Sequence, residues 1–412
     1  MDEAVCMENG SVKVCIEKVV YGGDGLGRLP DGRAVFVPFT APGDEAEVRI
    51  LREHPRHAEA ELCELRTAGA GRTTPRCPHF GRCGGCQYQH LEYGAQVRIK
   101  RDQLTESLQR LGRQRDVPPV SELVPAPNPY QYRNKLSLRR FEDESGALRF
   151  GLSETDGATL FEPAECHLPK PELWRYLQER LAEFATDPAA VPEGVQRLAV
   201  RAPSKGDPFA VFDRGGAEAN WVRESVGDAD FAVPPRGFWQ VNPDVLPALV
   251  GIVRNWTRES GRLFVDAYAG VGLFSSTAGA EFEERIVLET DRRALRAARR
   301  NHEWHGIGKT RFLPMPTEVA LAKQLATSRR VLDETTVLLD PPRTGCARKA
   351  VEALNQRRPG QIVYVSCDPA TLARDVRALT EEGPYRLVRL ALLDMFPQTA
   401  HFETVALLER EA

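Results

Sequence analysis

From residue 11 to about 68, apolar and polar positions alternate in short runs at 12–20, 33–39, 45–51 and 58–65, separated by Gly, Pro and Asp turns. Period-two patterning broken by such turns predicts a small all-β unit. The turn Gly22-Gly23-Asp24-Gly25-Leu26-Gly27 leads into another strand and not into a helix, so it does not read as a dinucleotide-binding loop. Residues 70–90 are rich in Cys, Gly and Pro and read as loop. Residues 91–111 then carry apolar side chains at helical spacing, with Arg98, Lys100, Arg101 and Arg110 between them. From 128 to about 235 the chain is mixed and strand-rich, with a basic tract from Arg133 to Arg140 that suits phosphate contacts or an exposed sheet face. After about residue 260 the period changes. Apolar runs at 263–268, 286–288, 337–339 and 362–365 alternate with helical stretches, which predicts a mostly parallel sheet. Two further runs, 385–396 and 404–408, have no helix between them and predict a terminal antiparallel hairpin.

Composition narrows this only a little. The chain has 412 residues, 42% hydrophobic and 27% charged, enough for two or three domains with a sizeable core. No apolar run approaches the roughly 18 residues of a membrane span, and the first residues show no signal-peptide pattern, so a cytoplasmic, membrane-free and monomeric protein is expected. The net charge of -3 does not announce a nucleic acid, which leaves that case to local basic patches. Nine cysteines, an odd number without a secreted-scaffold pattern, favour reduced thiols, a metal site or catalysis over a disulfide framework. Among them Cys6, Cys15, Cys63 and Cys346 read as ordinary.

The candidate chemistry sits at strand ends, where open α/β sheets bind ligands. Asp266-Ala267-Tyr268-Ala269-Gly270-Val271-Gly272 closes the first parallel strand, and Gly270 and Gly272 permit close backbone approach of a ligand at the next helix. Glu289 ends the second strand, at the spacing expected for a carboxylate that accepts both hydroxyls of a ribose. Phe274-Ser275 stands where a dinucleotide fold would place its third glycine, which favours S-adenosylmethionine over NAD. Asp340-Pro341-Pro342-Arg343 ends the fourth strand; the D-P-P tract suits a planar acceptor, and Arg343 in place of an aromatic residue disfavours amine methylation. Cys367, in Ser366-Cys367-Asp368-Pro369, and Glu403, in His401-Phe402-Glu403, end neighbouring strands. A thiol and a carboxylate so placed suit methylation of carbon 5 of a pyrimidine. That carbon is too weak a nucleophile unaided, so a thiolate must add to carbon 6, and a base must later remove the carbon-5 proton. Cys77, Cys83 and Cys86 form a compact loop suited to one inorganic centre, zinc or iron-sulfur, with Cys166, His79 or His90 as the fourth ligand.

Together these tracts, with Phe238-Trp239-Gln240-Val241-Asn242, resemble the RNA uracil-C5 methyltransferase family, in particular the bacterial 23S rRNA branch with a TRAM domain and a [4Fe-4S] cluster. The resemblance runs from about residue 11 to the C-terminus. It implies an α/β fold with a class I, Rossmann-like methyltransferase domain, an N-terminal OB-like TRAM barrel at 11–68 and a central iron-sulfur and RNA-binding domain at 69–90 and 121–235. Residues 91–120 and 236–412 would form the catalytic domain. It also implies that Cys77, Cys83, Cys86 and Cys166 hold the cluster, and that Tyr268, Glu289 and Asp340 line the cofactor site. Phe238 would pack near the base, Gln240 would read cofactor or base, Cys367 would be the nucleophile and Glu403 the base. Two departures stand out. Leu273 occupies a place where some relatives have a polar contact, and Pro316 stands where Asp or Asn usually meets adenine. Transfer RNA is the alternative substrate. Cytosine-C5 methylation is disfavoured by Arg343 in place of a second cysteine, and a non-catalytic RNA-binding protein is disfavoured by the presence of both Cys367 and Glu403.

Overall fold

A computed structural model describes residues 11–215, 221–257, 261–325 and 332–411, and Cys6 lies outside them. The chain divides into two compact units. One comprises Met1–Gln103, Phe141–His167 and Phe396–His401; the other comprises Leu104–Arg140, Leu168–Met395 and Phe402–Ala412.

In the first unit, β1 (Val12–Val19), β2 (Gly25–Arg28), β3 (Ala34–Val37), β4 (Glu45–Glu53) and β5 (His57–Thr67) form a closed barrel in the order β1-β2-β3-β5-β4. The alternation seen in the sequence is the inside and outside of this barrel. Val14, Ile16, Val35, Val37, Val48, Ala58 and Ala60 fill it, while the intervening residues face outward. A parallel β3/β5 pair brings the last strand across to close the ring. The cysteine loop follows, and then α1 (Tyr93–Arg110), matching the predicted helix.

The remaining elements, in chain order, are β6 (Val120–Val124), β7 (Lys135–Glu142), β8 (Leu148–Ser153), β9 (Leu160–Phe161), α2 (Pro171–Thr186), β10 (Arg197–Arg201), β11 (Phe209–Phe212), β12 (Val222–Val226) and β13 (Ala229–Val233). They continue with α3 (Leu246–Trp256), β14 (Leu263–Ala267), α4 (Leu273–Ser276), β15 (Glu284–Leu288), α5 (Arg292–Trp304), β16 (Thr310–Leu313), α6 (Thr317–Gln324) and β17 (Thr335–Leu339). The chain closes with α7 (Arg348–Arg357), β18 (Gln361–Ser366), α8 (Pro369–Glu381), β19 (Tyr385–Leu393) and β20 (Glu403–Arg410).

An eight-stranded sheet organises the second unit in the order β16-β15-β14-β17-β18-β20-β19-β6. The first five strands are parallel, as the alternating pattern predicts, and every residue of β14, β17 and β18 is buried, which is why these strands read as unbroken apolar runs. β20 enters antiparallel beside β18, and β19 pairs antiparallel with it. The terminal hairpin was legible in the sequence. The edge strand β6, which joins β19 in parallel from more than 260 residues away, was not.

Candidate active site

Strand register assembles the site. Ala267 pairs with Leu339 and Leu339 with Tyr364, while Ser366 pairs with Thr404. The residues just beyond these pairs, Tyr268, Asp340, Cys367 and Glu403, therefore emerge side by side at one edge of the sheet. Each comes from a different strand, and only the parallel order β14-β17-β18 followed by the antiparallel β20 brings them together.

Glycine geometry shapes the cofactor-side loop. Gly272 caps α4 with φ +77°, and a Cβ there would stand 3.0 Å from that of Ala298, so only glycine lets the loop close on α5. Gly270 has φ +54° with open space where a Cβ would point, and its N–H donates to Glu289 Oε2 at 2.9 Å. The other oxygen of Glu289 accepts from Asp291 N at 2.8 Å, so the carboxylate is fixed in place with lone pairs to spare. Tyr268 adopts φ +63° without being glycine, a strained conformation of the kind that concentrates at ligand sites. Burial, and then the neighbouring Cys346, raise the phenol's pKa. Pro316 caps α6 through its carbonyl, which accepts from Val319 N and Ala320 N; its side chain offers no hydrogen bond.

Asp266, which the sequence reading passed over, is the deepest charge in this region. It is fully buried; Oδ2 accepts from Ser275 N at 2.9 Å, and Oδ1 has no partner. Its signal in the sequence was an acid closing an apolar run before Gly270. Burial pushes it up to about 7. Asp340 is likewise pushed up to about 7, first by burial and then by the charge of Asp266.

Both carboxyls titrate higher in the folded chain than in the unfolded one. Their stabilising contribution is complete below the unfolded value of about 4 and is lost as pH rises through about 7. Asp340→Asn is therefore expected to stabilise the ligand-free protein by about 2–3 kcal/mol more at pH 8 than at pH 5, because part of the carboxyl's contribution is already lost at pH 5. An equal shift at both pH values in a thermal melt would count against the assignment.

At the acceptor side, Cys367 is half-buried and Glu403 is 2% exposed. Burial, then the neighbouring Glu403, pushes the Cys367 thiol up to about 12, and the Arg343 guanidinium pulls in the opposite direction. Glu403 is held well above the usual carboxylate range by burial, then by Asp340, again opposed by Arg343. Arg343 is thus the cation that favours the ionised form of both neighbours against their burial, a role beyond its reading as a mark of acceptor type. Helix α8 holds the loop that carries it. Thr371 Oγ1 donates to Arg343 O at 3.1 Å, Arg374 Nη2 donates to Thr344 O at 3.0 Å, and Asp375 accepts from Cys346 N and Tyr364 Oη at 2.8 and 2.7 Å.

Phe238 and Gln240 come from an earlier segment. Phe238 is 69% exposed, an unusual state for a phenylalanine, whereas Trp239, Gln240 and Asn242 are buried. The segment is held from below. Asn134 donates Nδ2 to Gln240 O at 3.0 Å and its N–H to Val241 O at 3.0 Å. Arg201, 3% exposed, donates to the carbonyls of Pro234, Pro235 and Gly237 and pairs with Glu224 at 3.1 Å. Neither Arg201 nor Glu224 was singled out from sequence, because nothing local marks a buried ion pair.

The cysteine loop lies in the other unit. His79 Nε2 accepts from Ala164 N at 3.1 Å and Glu165 N at 3.5 Å, which draws the segment ending in Cys166 toward the loop that carries Cys77, Cys83 and Cys86. Cys83 also bridges to Glu154, and Gly84 N donates to Ser153 O at 3.0 Å. His90 is buried, with Nε2 bonded to Thr40 O at 3.1 Å, and burial pushes it down to about 4, so it is neutral. Cys63, expected as an ordinary thiol, is disulfide-bonded. Cysteine parity and spread along a whole chain describe its redox tendency and say nothing about any one pair.

A closed β-barrel of the TRAM type joined to a Rossmann-like sheet, with glycine loop, ribose-spaced acid and strand-end thiol, defines an S-adenosylmethionine-dependent RNA methyltransferase. Residues 225–411 match the family described as tRNA (Uracil-5-)-methyltransferase, and residues 7–63 match the TRAM domain. The chain is 29% identical to an RNA methyltransferase of Nostoc sp. over 96% of each chain, and 29% identical to one of Aquifex aeolicus over 98% of this chain and 99% of the other. It superposes on the crystal structure of the Pyrococcus abyssi tRNA (uracil-54, C5)-methyltransferase in complex with S-adenosyl-L-homocysteine with a TM-score of 0.73 and 26% identity, covering 96% of this chain and 99% of that one. The protein is an S-adenosylmethionine-dependent RNA methyltransferase, and its C-terminal part is similar to the uracil-C5 enzymes. No helix among the described residues is long and apolar enough to cross a membrane.

Proposed function

We propose that the enzyme forms 5-methyluridine in RNA through a covalent adduct between Cys367 and carbon 6 of the target uracil, and that its substrate is 23S rRNA. The observation that carries the chemistry is the pairing of Cys367 with a buried, high-pKa Glu403 at adjacent strand ends. Bound S-adenosylmethionine supplies an electrophilic methyl group. Tyr268, Gly270, Gly272, Glu289, Gln240 and Asp340 are the residues to hold it, and the partnerless Oδ1 of Asp266 and the open space at Gly270 fit a polar ligand in that loop.

Cys367 gives its proton to solvent and its sulfur bonds to carbon 6, while the ring π electrons move to form an enolate on carbon 5 and oxygen 4. Carbon 5 would then take the methyl group that the bound donor supplies, leaving the donor sulfur as a neutral thioether. Glu403 removes the proton left on carbon 5, the enolate re-forms, and the bond from carbon 6 to Cys367 breaks with release of the thiolate, which regains a proton from solvent. Burial and the neighbouring Asp340 raise the Glu403 carboxyl above the usual carboxylate range, which makes its carboxylate a stronger base for this step. Uracil must leave its stack to meet a half-buried thiol, and the exposure of the Phe238 ring supports it as the residue that stacks on the base or fills the gap it leaves.

The cysteine loop fits an iron-sulfur cluster held by Cys77, Cys83, Cys86 and Cys166. The use of His79 Nε2 by two backbone amides and of His90 Nε2 by Thr40 O supports Cys166, the residue the family resemblance implies, as the fourth ligand. Anaerobically purified protein is expected to be brown and to bleach in air; colourless protein with stoichiometric zinc would refute the cluster.

The target assignment is tested by mapping 5-methyluridine in ribosomal and transfer RNA from cells lacking the gene. Loss in 23S rRNA supports the proposal. Loss in transfer RNA alone would favour the second reading, which the similarity to the Pyrococcus tRNA enzyme keeps open.

A further inference from the structure

Helix α5 buries Ala294, Leu295, Ala297, Ala298, Asn301 and His302 and turns Arg292, Arg293, Arg296, Arg299 and Arg300 outward. Among the described residues none of these five guanidinium groups makes an ion pair, although the chain as a whole is slightly acidic. At the end of the helix the Arg300 guanidinium lies 5.4 Å from the Trp221 ring and 4.8 Å from the Trp304 ring, and that of Arg223 lies 6.0 Å from Trp304. The two indoles are 42% and 47% exposed. Arg299 also lies over the Phe312 ring at 4.8 Å, and the exposed tryptophans interleaved with arginines, next to a row of arginines without ion pairs among the described residues, form a basic and aromatic surface.

We infer that this tryptophan–arginine ladder binds a single-stranded stretch of the substrate RNA beside the target uridine. Unstacked bases find π-faces on the indoles and on the guanidinium planes, and the arginine row meets the phosphates. Duplex RNA hides its base faces and would engage only the charges. The ladder is also continuous with the segment that carries Phe238. Asn301 of α5 bonds both the N–H and the carbonyl of Ala232 in β13, at 2.7 and 3.1 Å, and the neighbouring Phe231 ring lies 5.5 Å from that of Trp239. Strand held on the ladder is thereby referred to the residue expected to meet the flipped base. The inference rests on RNA as the substrate, not on which RNA it is.

Fluorescence anisotropy of the full-length protein with a labelled oligouridylate, and separately with an RNA duplex of equal length, tests it. Trp221→Ala with Trp304→Ala is expected to weaken oligouridylate binding by roughly tenfold or more and to leave the duplex within about twofold. Arg296→Gln with Arg300→Gln should reduce the slope of log affinity against log salt for the single strand by about 1.4, and the double tryptophan-to-phenylalanine variant should retain most of the affinity. Single-strand affinity within about twofold of wild type in the alanine variant, with S-adenosylhomocysteine binding intact, would overturn the inference, as would equal losses on single strand and duplex. Adduct formation between wild-type enzyme and 5-fluorouridine RNA reports on the proposed catalysis separately. Its failure would sink the covalent mechanism while leaving the binding result to stand or fall alone.

Discussion

Cys367→Ala is expected to abolish 5-methyluridine formation, by at least about a thousandfold, and to eliminate any covalent RNA–protein species on denaturing gels. Without the thiol, uracil carbon 5 has no route to enolate character, and no other group at the sheet edge supplies one. Glu403→Gln should behave differently. It removes the base after the adduct has formed, so wild-type rates of adduct formation with loss of turnover are expected, and the complex should accumulate on ordinary uridine RNA. No detectable adduct in the glutamine variant would undercut the role of Glu403. The pH dependence has a fixed sign as well. With the thiol at about 12 in the ligand-free site, only a small fraction is thiolate near neutrality, so the single-turnover rate of adduct formation should rise with pH between 6 and 9. Arg343→Gln removes the cation that opposes this shift and should lower the rate throughout that range.

Arg201→Ala is expected to be the most damaging change remote from the reacting atoms. Removing one partner of a buried pair strands Glu224, which is 1% exposed, and typically costs about 3–5 kcal/mol. It also frees three carbonyls of the segment that leads into Phe238 and Gln240. Arg201→Lys separates the two effects. Lysine keeps the charge opposite Glu224 but cannot reach several carbonyls at once, since its donors radiate from a single nitrogen. The lysine variant should melt near wild type and lose kcat with little change in cofactor affinity. A lysine variant with wild-type kcat would show that Arg201 serves folding alone.

Much of the architecture was written in short-range periodicity. The barrel strands announced themselves by alternation because one face of each packs on Val14, Val35 and their neighbours while the other meets solvent. β14, β17 and β18 announced themselves as continuous apolar runs because both faces of a central parallel strand are covered. The ends of those runs marked Asp340 and Cys367. What escaped were features whose partners lie far along the chain. β6 has no period that distinguishes it from loop until β19 offers an edge, and Arg201 is an unremarkable strand arginine until Glu224 and three carbonyls surround it.

By itself the sequence determined the fold class, the order of the elements and the types of reactive group at the strand ends, since each depends on local patterning and on residue chemistry. Only the tertiary structure decided which of those ends stand together and what protonation they favour. Register set Cys367 beside Glu403 and Tyr268 beside Asp340. Burial then raised the pKa of Asp266, Asp340, Glu403 and Cys367, because the cost of a charge depends on the water and the countercharges around it, and those are supplied by segments up to 137 residues apart.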